Sequence, residues 1–138
     1  MAECPCGLGR EYMECCGRYI EQGEIPLSAE TLMRSRYTAY VVKKADYLVA
    51  TSLSTSTLEE IEASMRDIEF VSLEIVSKSR GKALDKKGRV EFKATFRSGE
   101  KVGVLHENSL FLKRKGRWLY DEKGSEIFHY PPTNNLDF

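Results

Sequence analysis

The stretch SAETLMRSRYTAYVVKKADYLVATS, residues 28–52, determines the fold class that the sequence predicts. Its apolar residues recur at steps of three and four, which is the spacing of one face of an α-helix. Ser28 is a good N-cap residue, Glu30 follows it in the first turn, and Asp46 is placed as a second N-cap that restarts the helix. The stretch therefore predicts a helix, or a pair of helices, with one apolar side.

The residues that follow change from a helical to a strand-like pattern. Thr57 and Glu60 form a capping-box pattern, which predicts a further short helix through Met65. After Arg66 the apolar period changes from 3.6 residues to two. Helices followed by an antiparallel meander indicate an α+β fold, with the helices packed on one face of the sheet.

Four segments carry the alternating pattern. Val71, Leu73 and Ile75 alternate with polar residues in the first segment, so they are expected to share one face of the sheet. The second spans residues 90–96, and the others span 101–113 and 117–121. Turns between the strands are expected at Gly81, Gly88, Ser98-Gly99 and Lys115-Gly116.

Composition excludes several classes of protein. The 138 residues suit one compact domain with a small appendage, and Lys+Arg and Asp+Glu balance at 21 each. No apolar run approaches the roughly 20 residues that a membrane-spanning helix needs, so no membrane association is expected. The N-terminus lacks the apolar core of a signal peptide. The expected compartment is therefore the cytoplasm, where structural disulfides are rare.

All four cysteines lie in CPCGLGREYMECCG, residues 4–17, as Cys4, Cys6, Cys15 and Cys16. Two close pairs of soft ligands joined by a short arm suit a tetrahedral, all-thiolate Zn²⁺ site, and iron is the alternative metal. The glycines beside the ligands can accept the backbone conformations that such a knuckle needs. Incidental thiols, a disulfide between the pairs and redox chemistry are weaker interpretations, because the spacing is not C-x-x-C and a reducing compartment opposes disulfides.

Residues 3–17 resemble the SEC-C motif, a small cysteine-rich knuckle found at one end of many bacterial accessory proteins. All four ligand positions of the motif are present, and Cys16 stands where several members have histidine. We therefore predict a metal knuckle over residues 1–20, followed by a polar hinge with Gly23 and Pro26. A segment this short cannot bury enough surface to fold alone, so the metal would supply its folding energy.

Most of the remaining chain resembles the bacterial YchJ-like proteins, also called UPF0225-type, which carry SEC-C knuckles. The resemblance rests on LMRSRYTAY at residues 32–40 and DYLVAT at 46–51, supported by FKATFR at 92–97, HENS at 106–109 and GRWLY at 116–120. It implies that residues 28–132 form a cone of curved antiparallel sheet around helices, like the nuclear-transport-factor-2 (NTF2) fold. The resemblance by itself assigns no biochemical role.

Cone folds of this kind often enclose a pocket. The candidates for lining it, or for contacting a small-molecule ligand, are Arg34, Arg36, Tyr37, Tyr40, His106 and Trp118. Arg34 and Arg36 are two residues apart on a helix and cannot share a face, so one of them is expected to hold a carboxylate such as Glu107, or an anionic ligand. Structural roles are the simpler interpretation for each residue, and no nucleophile–base pair is evident. Enzymatic activity is therefore open and not favoured.

Two predicted hairpins are rich in Lys and Arg, at residues 78–89 and 113–117. Basic hairpin ends usually protect sheet edges from pairing, and no nucleic-acid recognition motif accompanies them. The favoured function is a zinc-binding accessory protein that docks a partner protein through Arg10, Tyr12 and Met13 of the knuckle. The alternatives are a pocket protein that binds or converts a small molecule in the cone, and a metal-delivery protein for iron or zinc.

Overall fold

The structure is a computed structural model that describes residues 3–54 and 56–128. Residues 129–132 of the predicted domain lie outside this part of the chain. A single 3-10 turn spans Tyr12–Glu14, and the α-helices are α1 Gly17–Ile20, α2 Ala29–Val41, α3 Ala45–Ala50 and α4 Leu58–Arg66. The strands are β1 Glu69–Arg80, β2 Lys87–Ser98, β3 Lys101–Arg114 and β4 Arg117–Ile127. Among the described residues, none of these helices is long and apolar enough to cross a membrane.

The helices begin where their local signals place them, with one exception. The Ser28 side chain accepts a hydrogen bond from the backbone of Thr31, and Thr57 forms the full capping box with Glu60. Asp46 is not the N-cap of α3, because the helix begins at Ala45 and places Asp46 inside its first turn. The break between α2 and α3 instead lies at residues 42–44, where Lys43 has a φ of 62°.

The four strands form one antiparallel sheet in the order β1-β2-β3-β4, as a meander predicts. The pairing of β1 with β2 shifts register between Phe70 and Ser72. Even-numbered residues face the core before this shift, and odd-numbered residues face it directly after the shift. As a result Phe70, Leu73 and Ile75 pack against the core, whereas Val71 is 44% exposed. The prediction that Val71 shares the face of Leu73 and Ile75 was therefore wrong.

The main core lies between α2 and the inner face of the sheet. From α2 it contains Leu32, Met33 and Tyr37, which the sequence pattern placed on one apolar side. The sheet contributes Val90, Phe92, Ala94, Phe111 and Trp118. A second cluster packs α2, α3 and α4 through Ala39, Leu48, Ile61 and Met65. The α+β fold with helices on one face of an antiparallel sheet is confirmed.

Gly88 lies within β2 and not in a turn, which corrects one predicted boundary. A Cβ atom at Gly88 would lie 2.4 Å from the Cα of Gly81 and 3.2 Å from the Cβ of Ala29. The backbone N–H of Ala29 also donates to the carbonyl of Gly81 at 2.9 Å. Gly88 therefore allows the start of α2 to approach the end of β1 closely.

Candidate metal centre and interior cavity

The four cysteine sulfurs form one compact cluster. Their Sγ atoms all lie within 4.8 Å of one another, and those of Cys6 and Cys15 are 3.5 Å apart. Each cysteine is buried, with an exposed fraction between 0% and 6%, and none is in a disulfide. Sequence spacing alone had suggested this grouping, and the fold brings all four predicted ligands together.

Backbone contacts hold the two cysteine pairs opposite each other. The N–H of Cys4 donates to the carbonyl of Arg10 at 2.7 Å, which closes the loop between the pairs. Gly7, directly after the first pair, has a φ of 89°, a conformation that favours glycine. Gly17 is needed for space: a Cβ atom there would lie 2.7 Å from the carbonyl oxygen of Tyr12.

The donor set fits a tetrahedral metal ion. Four thiolates bound to Zn²⁺ at about 2.3 Å lie about 3.8 Å from one another, close to the sulfur spacing of this cluster. These four cysteines, all among the described residues, would fill all four coordination positions of a tetrahedral ion. No position is then left for water or substrate, as is typical of structural zinc sites. When bound, zinc would supply a cross-link between Cys4, Cys6, Cys15 and Cys16.

The thiols strongly influence one another's protonation. Hydrogen bonds from Cys16 and Cys6 hold the pKa of Cys4 far below its ordinary value, whereas the same bond to Cys4 raises the pKa of Cys16. Burial raises the pKa of Cys15 to about 12. A divalent cation at the centre would instead favour the thiolate form of all four sulfurs.

The knuckle is seated on α2 through residues of the LMRSRYTAY block. Arg34 donates from Nη1 to the carbonyl of Cys6 at 2.8 Å and from Nε to the Glu30 carboxylate at 2.9 Å. Thr38, which is fully buried, brings its Oγ1 to 3.8 Å from the Sγ of Cys4. Arg34 is therefore a support for the metal loop and does not line the interior cavity.

Of the three predicted docking residues, only Arg10 is exposed. Tyr12 is half-buried against the cysteines, and its hydroxyl donates to the Glu21 carboxylate at 2.9 Å. Met13 is also half-buried. Leu8, which the sequence reasoning had not selected, is 48% exposed on the same loop as Arg10. The position of this leucine between two glycines, in the loop between the cysteine pairs, was the sequence feature that could have indicated its exposure.

A cavity of about 230 Å³ lies between α2 and the inner face of the sheet. Three of the predicted pocket residues, Arg36, Tyr37 and Tyr40, line it. The sheet supplies the opposite wall with Phe92, Leu105, Glu107, Ser109, Phe111 and Tyr120. The wall is mostly aromatic and aliphatic, and among the described residues its charged groups are one guanidinium and one carboxylate.

Arg36 is held by groups on and after α3. Its Nη1 hydrogen-bonds to the carbonyl of Leu48 at 3.0 Å, to the hydroxyl of Thr51 at 2.7 Å and to the hydroxyl of Ser52 at 3.0 Å. The guanidinium carbon lies 4.6 Å from the ring centre of Tyr120, a cation–π contact. Burial lowers the pKa of Arg36 from its ordinary value.

Glu107 is the acidic group of the cavity, and it is only 6% exposed. Its Oε2 accepts hydrogen bonds from the hydroxyl of Ser109 at 2.6 Å and from that of Tyr120 at 2.7 Å. Burial, together with the charge of Glu107, raises the pKa of Tyr120, so that phenol stays protonated. The prediction that an arginine holds Glu107 is wrong: the hydrogen bonds of Arg36 go to residues on and after α3, and Arg36 and Glu107 only line the same cavity.

His106 and Trp118 do not belong to the cavity. His106 pairs with Lys93 in the sheet register, one position away from Glu107, so its side chain lies on the opposite face. There its Nε2 is 2.6 Å from the Glu91 carboxylate, and its ring is 4.2 Å from that of Phe128. Trp118 is buried in the main core at 2% exposure. The predicted cavity role of both residues is corrected accordingly.

The fold and the site together define a class of protein in which a SEC-C type cysteine knuckle is joined to an NTF2-like α+β domain. The family model of the YchJ middle NTF2-like domain matches residues 28–123. The chain belongs to the YchJ-like family of UPF0225 proteins.

Relatives and solved structures agree with this assignment. A UPF0225 protein of Corynebacterium efficiens is 42% identical over 117 residues, which cover 85% of this chain and 88% of the relative. One from Chromobacterium violaceum is 39% identical over 122 residues, covering 86% and 90% of the two chains. The solution structure of a SEC-C motif containing protein from Rhodopseudomonas palustris superposes on this chain with a TM-score of 0.82 and 34% sequence identity. The match covers 93% of this chain and 100% of the Rhodopseudomonas chain. The crystal structure of a SEC-C motif containing protein from Psychrobacter arcticus has a TM-score of 0.76 and 27% identity, covering 94% and 86%.

Proposed function

We propose that the chain is a zinc-binding accessory protein of the bacterial cytoplasm, in which zinc is structural and the protein acts by binding a partner. The observation that carries this proposal is the cluster of four buried sulfurs on a loop that α2 holds in place. Burial supports a structural ion over metal delivery, because a receiving ligand would need access to the sulfurs. Iron fits the same donor set, and zinc supplies the cross-link without redox chemistry.

The knuckle offers a rigid surface to a partner. Leu8 and Arg10 project from a loop that the Cys4–Arg10 backbone hydrogen bond closes, so little conformational entropy is lost when this loop binds. Both residues line a small depression whose other walls are Cys15, Cys16, Arg18, Tyr19, Thr31 and Arg34. Arg18 and Arg34 already pair with glutamates, whereas the Arg10 guanidinium makes no hydrogen bond or ion pair with another described residue. A partner segment with an acidic residue beside an apolar one fits this surface.

Substitution of Arg10 tests the docking proposal. Arg10→Ala should leave the fold and metal content unchanged, because the side chain is exposed, and should abolish capture of the partner from a lysate. Arg97→Ala, at another exposed arginine, on β2 away from the knuckle, is the matched control and should retain capture. If Arg10→Ala captures the same protein as strongly as Arg97→Ala, the knuckle loop is not the docking surface.

The interior cavity favours a second candidate function, the binding of a small molecule. Its supporting observation is a buried carboxylate in a mostly apolar wall. Because His106 lies on the other face of the sheet, the cavity brings Glu107 together with phenols and a guanidinium, and not with an imidazole. This arrangement supports binding more than acid–base turnover. Native mass spectrometry of the purified protein would detect a retained ligand as added mass that denaturation removes.

A further inference from the structure

We propose that the cavity recognises a compact, uncharged aromatic molecule that donates one N–H hydrogen bond to Glu107. This inference rests on the second candidate function above and specifies its ligand class. It follows from three properties of the cavity: the free acceptor it contains, its balance of charge, and its size and lining.

The free acceptor is one oxygen of Glu107. Both of the hydrogen bonds that this carboxylate accepts from described residues go to Oε2, from Ser109 and Tyr120. Oε1 accepts none from the same part of the chain, although Glu107 is 94% buried, given its 6% exposure, and lines the cavity. Oε1 is not among the fully buried atoms that lack a partner in this part of the chain, so it is open to the cavity and can accept a further hydrogen bond. A ligand N–H that enters the cavity would satisfy it.

The balance of charge selects an uncharged ligand. The Arg36 guanidinium and the Glu107 carboxylate both line the cavity, and together they are neutral. A cationic ligand would lie near the arginine, and an anionic ligand would lie near the glutamate, each in a poorly solvated space. Arg36 Nη1 already donates to the Leu48 carbonyl on α3 and to two hydroxyls after it, and the guanidinium lies against the Tyr120 ring, which favours Glu107 as the recognition group.

Size and lining select a ring system. Apolar protein cavities of about 150 Å³ bind benzene, so about 230 Å³ accommodates a fused pair of rings. Aromatic side chains form a large part of the wall and already contact one another: the rings of Tyr40 and Phe70 meet edge to face at 5.7 Å, and those of Tyr37 and Phe70 are tilted at the same distance. Such walls favour a flat aromatic guest.

A pair of isosteric probes tests the inference on the wild-type chain. Indole carries one N–H in a bicyclic ring, and indene has the same shape without the donor. Indole should bind with 1:1 stoichiometry and perturb the NMR signals of cavity residues such as Phe92 and Phe111. Its affinity should exceed that of indene by at least about tenfold, the lower limit for one hydrogen bond to a charged acceptor.

A variant tests the role of Glu107 separately. Glu107→Gln keeps the size of the side chain and an acceptor for Tyr120 but removes the charge, so indole should bind about tenfold more weakly and indene should be unaffected. Glu91→Gln, on the opposite face beside His106, is the control and should bind indole like the wild type.

The possible results separate the two claims. Equal affinities for indole and indene in the wild type, with cavity signals perturbed, would overturn the ligand class and leave small-molecule binding standing. An unchanged indole affinity in a folded Glu107→Gln variant would overturn the role of Glu107. If neither probe perturbs the cavity at millimolar concentration, both the ligand class and the second candidate function are wrong.

Discussion

Replacing Arg34 with methionine should loosen the metal knuckle from the body of the protein. The substitution keeps the apolar stem of the side chain and removes its guanidinium. Two contacts are lost: the hydrogen bond from Nη1 to the Cys6 carbonyl at 2.8 Å and the ion pair with Glu30 at 2.9 Å. The first joins the knuckle to α2 directly, next to a metal ligand.

The magnitude follows from the environment of these contacts. The Arg34 side chain is 16% exposed, so its charged hydrogen bond is worth about 1.5–3 kcal/mol, and the i,i+4 ion pair adds about 0.3–0.5 kcal/mol. A loss of about 2 kcal/mol raises the population of the open knuckle about 30-fold. Where metal release requires opening, its rate should rise by the same factor. The melting temperature should fall by about 6–8 °C.

The assay is zinc release to a chromogenic chelator, followed beside thermal unfolding. Arg18→Met is the matched control, because Arg18 also pairs with a glutamate, Glu24, but both side chains are exposed and the knuckle carbonyls are not involved. This control should release zinc at the wild-type rate. If Arg34→Met and Arg18→Met release zinc equally fast, Arg34 does not hold the knuckle and the reasoning fails.

Two further outcomes are expected. Gly17→Ala should weaken metal retention, because its Cβ atom would lie 2.7 Å from the backbone oxygen of Tyr12. Competition with a chelator measures the retention of zinc, and a variant that retains zinc as well as the wild type would contradict this expectation. Glu30 should add stability that depends on pH: burial opposes its charge, but hydrogen bonds from Lys78 and Arg34 prevail and lower its pKa below the ordinary value. Its contribution is therefore complete above the unfolded pKa of about 4.3 and is lost as the pH falls through the folded pKa. Urea unfolding of the wild type and Glu30→Gln between pH 3 and pH 7 should show a stability difference that shrinks in acid, and a constant difference would refute the linkage.

Local signals in the sequence predicted the helices well. Ser28 and Thr57 cap α2 and α4 because the hydrogen bonds that define an N-cap reach only three residues along the chain. Asp46 was misplaced because an aspartate in the first turn of a helix and an aspartate at its N-cap have the same sequence context. Such cases differ by one position, and tertiary packing decides between them.

The side of β3 that faces the helices could not be read from its pattern. Val102, Val104 and His106 share one parity, and Leu105 and Glu107 share the other, so both sides carry apolar residues. The pairing of Glu107 with the buried Phe92 decides the question, and it depends on the register of β2. Sequence reasoning therefore selected His106 for the cavity, where the structure places Glu107.

The metal ligands were predictable because they are close in the sequence, whereas their support was not. The hydrogen bond between Arg34 and Cys6 spans 28 residues, and the contact between Thr38 and Cys4 spans 34. Neither residue type is unusual on a helix, so no periodicity indicates them. Arg34 and Thr38 both lie in the LMRSRYTAY block, so this block supports the knuckle and also contributes to the core.

The most direct test of the central claim is the metal content of the full chain, measured with its free-thiol count after anaerobic purification without a chelator or a metal-affinity tag. A structural knuckle predicts one zinc ion per chain and four thiols that become reactive only when the protein is denatured. Protein without stoichiometric zinc, or with thiols that react in the native state, would contradict the account.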